Sequence, residues 1–345
     1  LIAEAAIMTN HPGIPTGPGT DGPDERAPVP PPVGGMLWEG AGEIRALLTL
    51  PPAMAMQVAH PAVGAGVDEH SVFRTDPWGR AVRSLESVQL WVYGGPRAVE
   101  EGRRLRRLHR TIRGTDPHGR RYHALDPRLY AWVHATGFPV LVHAQHYLAP
   151  RPYTPDEQER LYAEWRQVGL VLGLREADLP RTAAEFWPVY RARLPELEAT
   201  AVLRELTDPR RTLPPPDRGP TAARLPLRLL WPVLARPLAR LQAFATTGLM
   251  PPDARHAIGL PWSDRQERRL RRFGRIVTWT VPRLPERLRY LPTARHARRA
   301  ARREARAATT LPGGTVGPDV GGACHNAGAP GAAVLPTAPT GPPPR

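Results

Sequence analysis

The sequence predicts an all-α protein, and three observations carry that reading. Apolar residues recur at three- and four-residue spacing through the body of the chain, as at Tyr130, His134, Phe138 and Leu141. Helix-start signals, a capping side chain followed by proline, stand at Asp76-Pro77, Asp126-Pro127 and Thr154-Pro155. Convincing alternating stretches are scarce, and no repeat of roughly 20–50 residues is present.

Residues 1–35 are rich in Gly, Pro and Thr and read as a disordered segment, as does the low-complexity tail 308–345. The span 36–307 reads as one helical domain. A first helix is expected over 42–50. Pro51 and Pro52 then break the chain and open the turn that carries Met54, Met56 and Val58 to His60. Asp76 and Pro77 start a helix reaching Tyr93, and Gly94-Gly95-Pro96 ends it. The next helix, over 97–113, places Ala98, Gly102, Leu105, Leu108, His109 and Ile112 on one side, with Gly114 as its C-cap. A loop fills 115–125. The central helix follows over 127–147, kinked near Ala135 or Thr136 by Pro139. Further helices are expected over 155–172, 182–193 and 195–206, then a proline-rich linker over 208–221. Residues 225–248 are apolar but interrupted by Arg228, Arg236 and Arg240. They read either as buried core or as an interfacial helix making a peripheral membrane contact. Helices over 263–280 and 286–307 complete the domain.

The formal charge is +15, which points to an anionic partner. However, all 47 basic residues are arginine, the signature of a GC-rich coding bias, and no nucleic-acid-binding module accompanies them. Nucleic acid is therefore not expected as a partner. The single cysteine, Cys324, excludes an intrachain disulfide and any cysteine-based zinc site. The apolar patch at residues 1–8 lacks the basic region of a leader, and no long uncharged apolar run exists to span a membrane. These features suit a cytoplasmic protein, membrane-associated if 225–248 is interfacial.

Eight of the twelve histidines fall between His60 and His146. His134 lies inside the apolar stripe of the central helix. A buried imidazole must find a partner, either a hydrogen bond or a metal.

Several motifs, in order, carry a resemblance. The run His60-Pro61-Ala62-Val63, Gly66-Val67, Glu69-His70-Ser71, Phe73-Arg74, Asp76-Pro77 and Gly79-Arg80 is similar to the opening signature of the MpaB/rubber-oxygenase family. Arg106, His109, Arg113-Gly114-Thr115-Asp116, Gly119, Tyr122 and Ala124 resemble a second block, and Trp132-Val133-His134-Ala135-Thr136 a third. The resemblance covers residues 40–290. It implies a multi-helix, globin-like core around haem b, and an oxygenase that uses dioxygen to cleave C=C bonds in an apolar, isoprenoid-like substrate. By order and spacing it implies His134 as the axial iron ligand, with Arg106 and His109 on the preceding helix beside the haem.

Each of these residues also has a plainer reading. His134 is a hydrogen-bonded core histidine or the iron ligand. His109 joins two helices or moves a proton beside the iron. Arg106 holds a haem propionate or is one surface arginine among many. Arg113 and Asp116 form an ion pair that closes a loop. Glu69 serves as a base toward an allylic proton, combines with His60 and His70 as a non-haem metal site, or belongs to a polar cluster that fixes a turn. His118, His123, His143 and His146 read as exposed or supporting. The rival to the enzyme is a non-enzymatic helical protein that binds haem or lipid.

Overall fold

The computed structural model describes residues 28–217 and 221–310. Compact packing ends at Arg303. From Glu304 a separate unit begins, whose described part is the end of the last helix. The expectations for residues 1–27 and 311–345 lie outside the described residues.

The all-α expectation holds, apart from one small hairpin. Helix α1 spans Met36–Ala41, and residues 44–48 form a short 3-10 turn where the sequence suggested a full helix. Helix α2, Leu50–Val58, takes Pro51 and Pro52 in its first turn, where their missing N–H groups have no helical partner to lose. His60 caps α3, Pro61–His70, through Nδ1, which accepts from the Ala62 N–H at 3.2 Å. Asp76 caps α4, Pro77–Tyr93, with the boundaries the sequence predicts.

Helix α5, Pro96–His109, stops before Gly114 rather than at it. Residues 113–115 instead pair antiparallel with 121–123 as β1 and β2. Asp116 organises the turn between them. Its carboxylate accepts from the His118 and Arg120 N–H groups and pairs with the Arg120 guanidinium at 2.8 Å. The ion pair expected between Asp116 and Arg113 is therefore made with Arg120. A carboxylate placed to cap its own turn is captured by the nearest arginine of that turn.

The central helix is two helices. Helix α6, Pro127–Ala135, is capped by Asp126, and α7, Gly137–Leu148, restarts at once with Pro139 in its first turn. The chain breaks between them, where proline needs it, rather than bending a continuous rod. Helix α8, Pro155–Val171, opens with a complete capping box of Thr154 and Glu157. Helices α9, Ala183–Arg193, and α10, Ala201–Thr207, are each capped by a threonine. Helix α11, Thr221–Leu249, is the longest, and α12, Pro252–Ile258, follows. Ser263 and Gln266 box the start of α13, Asp264–Thr280, before α14, Glu286–Arg289, and α15, Pro292–Thr310.

The main core gathers Met56, Trp132, Phe138, Val168, Tyr190 and Leu203, among others, from α2, α6, α7, α8, α9 and α10. A smaller one lies where α7 meets α11 and α13, around Tyr147, Leu249 and Leu270. Residues 225–241 join neither: Leu229, Leu230, Val233 and Leu238 are exposed, so this stretch is not the buried segment that was one of its two readings. Only the alanines 235, 239 and 243 and the end of the helix near Leu249 are buried.

Candidate active site

Helices α2, α4, α5, α6, α7 and α8 enclose a cavity inside the main core. Its empty volume, open solvent at its mouth included, is ≈ 1170 Å³, and little of that space admits a water molecule. The space is thus wide but thin. Its walls are leucine, valine, alanine and tryptophan side chains, and no charged residue lines it among those described. Five uncharged polar residues break the apolar surface besides Thr49: Gln57, Gln89, Tyr130, His109 and His134.

Local packing sets this shape. Gly102 lets α5 approach α8 so closely that an added Cβ would lie 1.9 Å from the Val171 carbonyl oxygen. Gly169 likewise lets the α8 backbone pass over the His134 ring, where a Cβ would meet Cε1 and Nε2 at 3.1 Å.

His109, at the end of α5, is 5 % exposed. Its Nδ1 is 2.7 Å from the Leu105 carbonyl oxygen of its own helix. A carbonyl only accepts, so Nδ1 carries the proton and Nε2 is bare. No protein group is bonded to Nε2 among the described residues. Burial pushes the imidazole down to about 3, against the pull of the Leu105 carbonyl, so the ring is neutral. The ring stands edge-on to Tyr130, 5.6 Å between centroids, and the Tyr130 hydroxyl donates to the Leu172 carbonyl at 3.1 Å. Burial pushes the Tyr130 phenol up to about 12.

His134 on α6 is 7 % exposed and arranged the other way round. Its Nε2 is 2.9 Å from the Trp165 carbonyl, and the Trp165 indole N–H returns a bond to the His134 carbonyl at 3.2 Å. The two rings stack with centroids 5.0 Å apart. Here Nε2 carries the proton and the bare nitrogen is Nδ1, the one nearer the side chain's own backbone. Burial holds this ring neutral as well, at about 4.

The other residues singled out by sequence lie elsewhere. Arg106 does not line the cavity. It donates to the Gly173 carbonyl at 3.0 Å, with its guanidinium 5.8 Å from the Tyr130 ring. Glu69 accepts from the Tyr122 hydroxyl at 2.8 Å and lies 3.7 Å from His70, at the hairpin and away from the cavity. His60 faces Glu196 at 3.4 Å instead. His60, Glu69 and His70 thus divide between two neighbourhoods, and no three His, Cys, Asp or Glu residues gather as a metal site among those described. His143 is half-buried rather than exposed, and burial pushes it down to about 4.

Three polar residues of the wall escaped the sequence reading. Gln57 donates to Val133 O at 3.3 Å and Thr136 Oγ1 at 3.2 Å, tying α2 to the α6–α7 break. Gln89 and Trp91, both on α4, keep Oε1 and Nε1 buried without a protein partner. An amide or indole inside an apolar run leaves no periodic signal that separates it from a surface residue.

Residues 38–279 match the family described as ER-bound oxygenase mpaB/B'/rubber oxygenase, catalytic domain. The chain is 28 % identical over 228 residues to an uncharacterised protein of Mycobacterium bovis and, to the same extent, to one of Mycobacterium tuberculosis. In each case the similarity covers 64 % of this chain and 84 % of the relative. No solved structure matches.

Proposed function

The chain belongs to the mpaB/rubber-oxygenase catalytic-domain family, and on that premise we propose that it is a haem b oxygenase whose buried cavity takes an apolar, isoprenoid-like alkene with dioxygen as co-substrate. The observation that carries this reading is the His109 ring. A neutral imidazole with one N–H tied to a backbone carbonyl and the other nitrogen bare, in a thin apolar slot, is the form in which histidine ligates iron.

One ring supports the haem reading by its ligand geometry. His109 would hold the iron through Nε2, with Leu105 fixing the tautomer. His134, the ligand implied by the sequence resemblance, offers Nδ1 and would first have to be re-seated from Trp165. Haem supplies the iron chemistry toward dioxygen when bound. The chain supplies the rest. Leucine and valine walls exclude water and orient the hydrocarbon. Glu69, distant from the cavity, has no part in this scheme.

Expression with iron and haem precursor, followed by an absorption spectrum, tests the proposal. The wild type should show a Soret band and take up oxygen with an isoprenoid alkene. His109→Ala should lose the band, while His134→Ala should retain a weakened one. A colourless wild type that takes up no added haemin overturns the haem reading. Loss of the band in His134→Ala alone moves the ligand to His134.

A further inference from the structure

Helix α11 carries a surface that the oxygenase reading does not use. Between Leu225 and Leu241 it exposes Leu225, Leu229, Leu230, Val233, Leu234, Leu238 and Leu241, with Leu229 and Val233 each 72 % exposed. Lone exposed leucines are ordinary, but a helix face of them is not. Arg228, Arg236 and Arg240 are exposed among them, and none has an ion-pair partner among the described residues. No acidic residue occurs between Asp217 and Asp253. The mixture of bare leucines and unneutralised arginines suits a negatively charged, apolar-cored surface, and a bilayer with anionic headgroups is that surface. The helix is fixed underneath by Ala235, Ala239 and Ala243 and at its end by Leu249. No helix among the described residues is long and apolar enough to cross a membrane, so the contact is peripheral.

Beneath this helix runs an apolar groove. One side is formed by Trp231, Leu238 and Leu241, the other by Leu47, Pro51 and Trp78. Trp231 and Trp78 donate to the carbonyls of Leu213 and Pro214 at 2.8 Å each, pinning the preceding linker beside it. Leu47, itself part-exposed, lines both this groove and the buried cavity. One leucine side chain is thus common to the surface under α11 and the slot that holds His109.

We propose that the exposed face of α11 rests on a bilayer containing anionic lipid, and that the groove ending at Leu47 is the passage by which apolar substrate leaves the bilayer for the cavity. The passage rests on the apolar-substrate reading above, whereas the membrane contact does not.

The full chain should co-sediment with vesicles of phosphatidylcholine and phosphatidylglycerol, and salt should weaken the binding. Arg228→Gln, Arg236→Gln and Arg240→Gln together should lower vesicle affinity about a hundredfold. Leu229→Ser with Val233→Ser should also lower it, with circular dichroism unchanged in both variants. Vesicles or detergent micelles loaded with labelled squalene then test the passage. After stripping at high salt, the wild type should retain squalene from either source. The α11 variants should retain it from micelles only. Leu47→Trp should bind vesicles normally yet retain little. Failure of the wild type to bind anionic vesicles, or vesicle binding unaltered in the α11 variants, overturns the proposal. So does a lipid-free dimer that those variants dissociate, because the face would then belong to a second copy. Full retention by Leu47→Trp overturns the passage. No squalene retained even from micelles overturns the apolar-substrate reading, and the passage with it, while leaving the membrane contact to the vesicle result.

Discussion

His109 and His134 are both buried, both neutral and both on the cavity wall, yet one hydrogen bond separates their chemistry. The Leu105 carbonyl accepts from the Nδ1–H of His109 and leaves Nε2 bare, whereas the Trp165 carbonyl accepts from the Nε2–H of His134. Substitution should therefore affect different properties. His134→Ala removes the donor to a buried carbonyl and a stacked ring, so it should destabilise by about 1–3 kcal/mol in urea unfolding. His109→Ala loses a bond to a carbonyl of its own helix and an edge contact with Tyr130, so its stability cost should be the smaller one, and on the haem proposal its effect on the Soret band the larger. Equal stability losses in the two variants would mean that His134 is no more embedded in the packing than His109.

At the scale of elements, the cavity depends on how closely α5 and α8 approach. Gly102 makes that approach possible, since a Cβ there would lie 1.9 Å from the Val171 carbonyl oxygen. Backbone cannot step aside as a side-chain end can, so Gly102→Ala should cost about 1–3 kcal/mol. Gly40→Ala on α1 is the matched control, because nothing lies within 4 Å of its Cβ position. The better helix former should there be neutral or stabilise by up to about 1 kcal/mol. Chemical denaturation of the two variants beside the wild type distinguishes a packing requirement from a general intolerance of alanine. If Gly102→Ala is as stable as Gly40→Ala, the α5–α8 contact is not what limits the fold.

For the whole molecule, buried histidines tie stability to pH: His60 is lowered by burial, and three others are lowered further. Burial lowers His109 to about 3 and His134 and His143 to about 4, against about 6.5 in an unfolded chain. As pH falls below about 6.5 the unfolded chain takes up protons that the folded one refuses. Stability is therefore fully present above about 6.5 and is lost as pH falls toward 4. Each histidine contributes up to about 1.4 kcal/mol per pH unit in that window. The carboxylates held low, such as Glu101 beside Arg104 and Glu267, which accepts from Trp262 and Tyr147, add their losses only at lower pH. Urea midpoints should be level from pH 7.5 to 6.5 and fall steadily to 4.5, less steeply in His143→Leu. A level profile down to pH 5 would show that these rings are not buried as neutral groups.

The sequence by itself determined the all-α class, several helix starts and the family. Asp76-Pro77, Asp126-Pro127 and Thr154-Pro155 mark helix starts where they occur, because a cap needs only its own next few residues. The ordered motifs from His60 to Thr136 pointed to the family that the match over 38–279 shows. Tertiary structure decided what depended on distant partners. Residues 113–115 pair with 121–123 rather than ending a helix, since a strand exists only against its partner. Asp116 chose Arg120 over Arg113 for the same reason. Residues 225–241 carry the same leucine spacing whether buried or exposed, and only their exposure among the described residues settled which. Which nitrogen of each histidine is bare was likewise undetermined, because a tautomer follows from the carbonyl that packing brings to the ring.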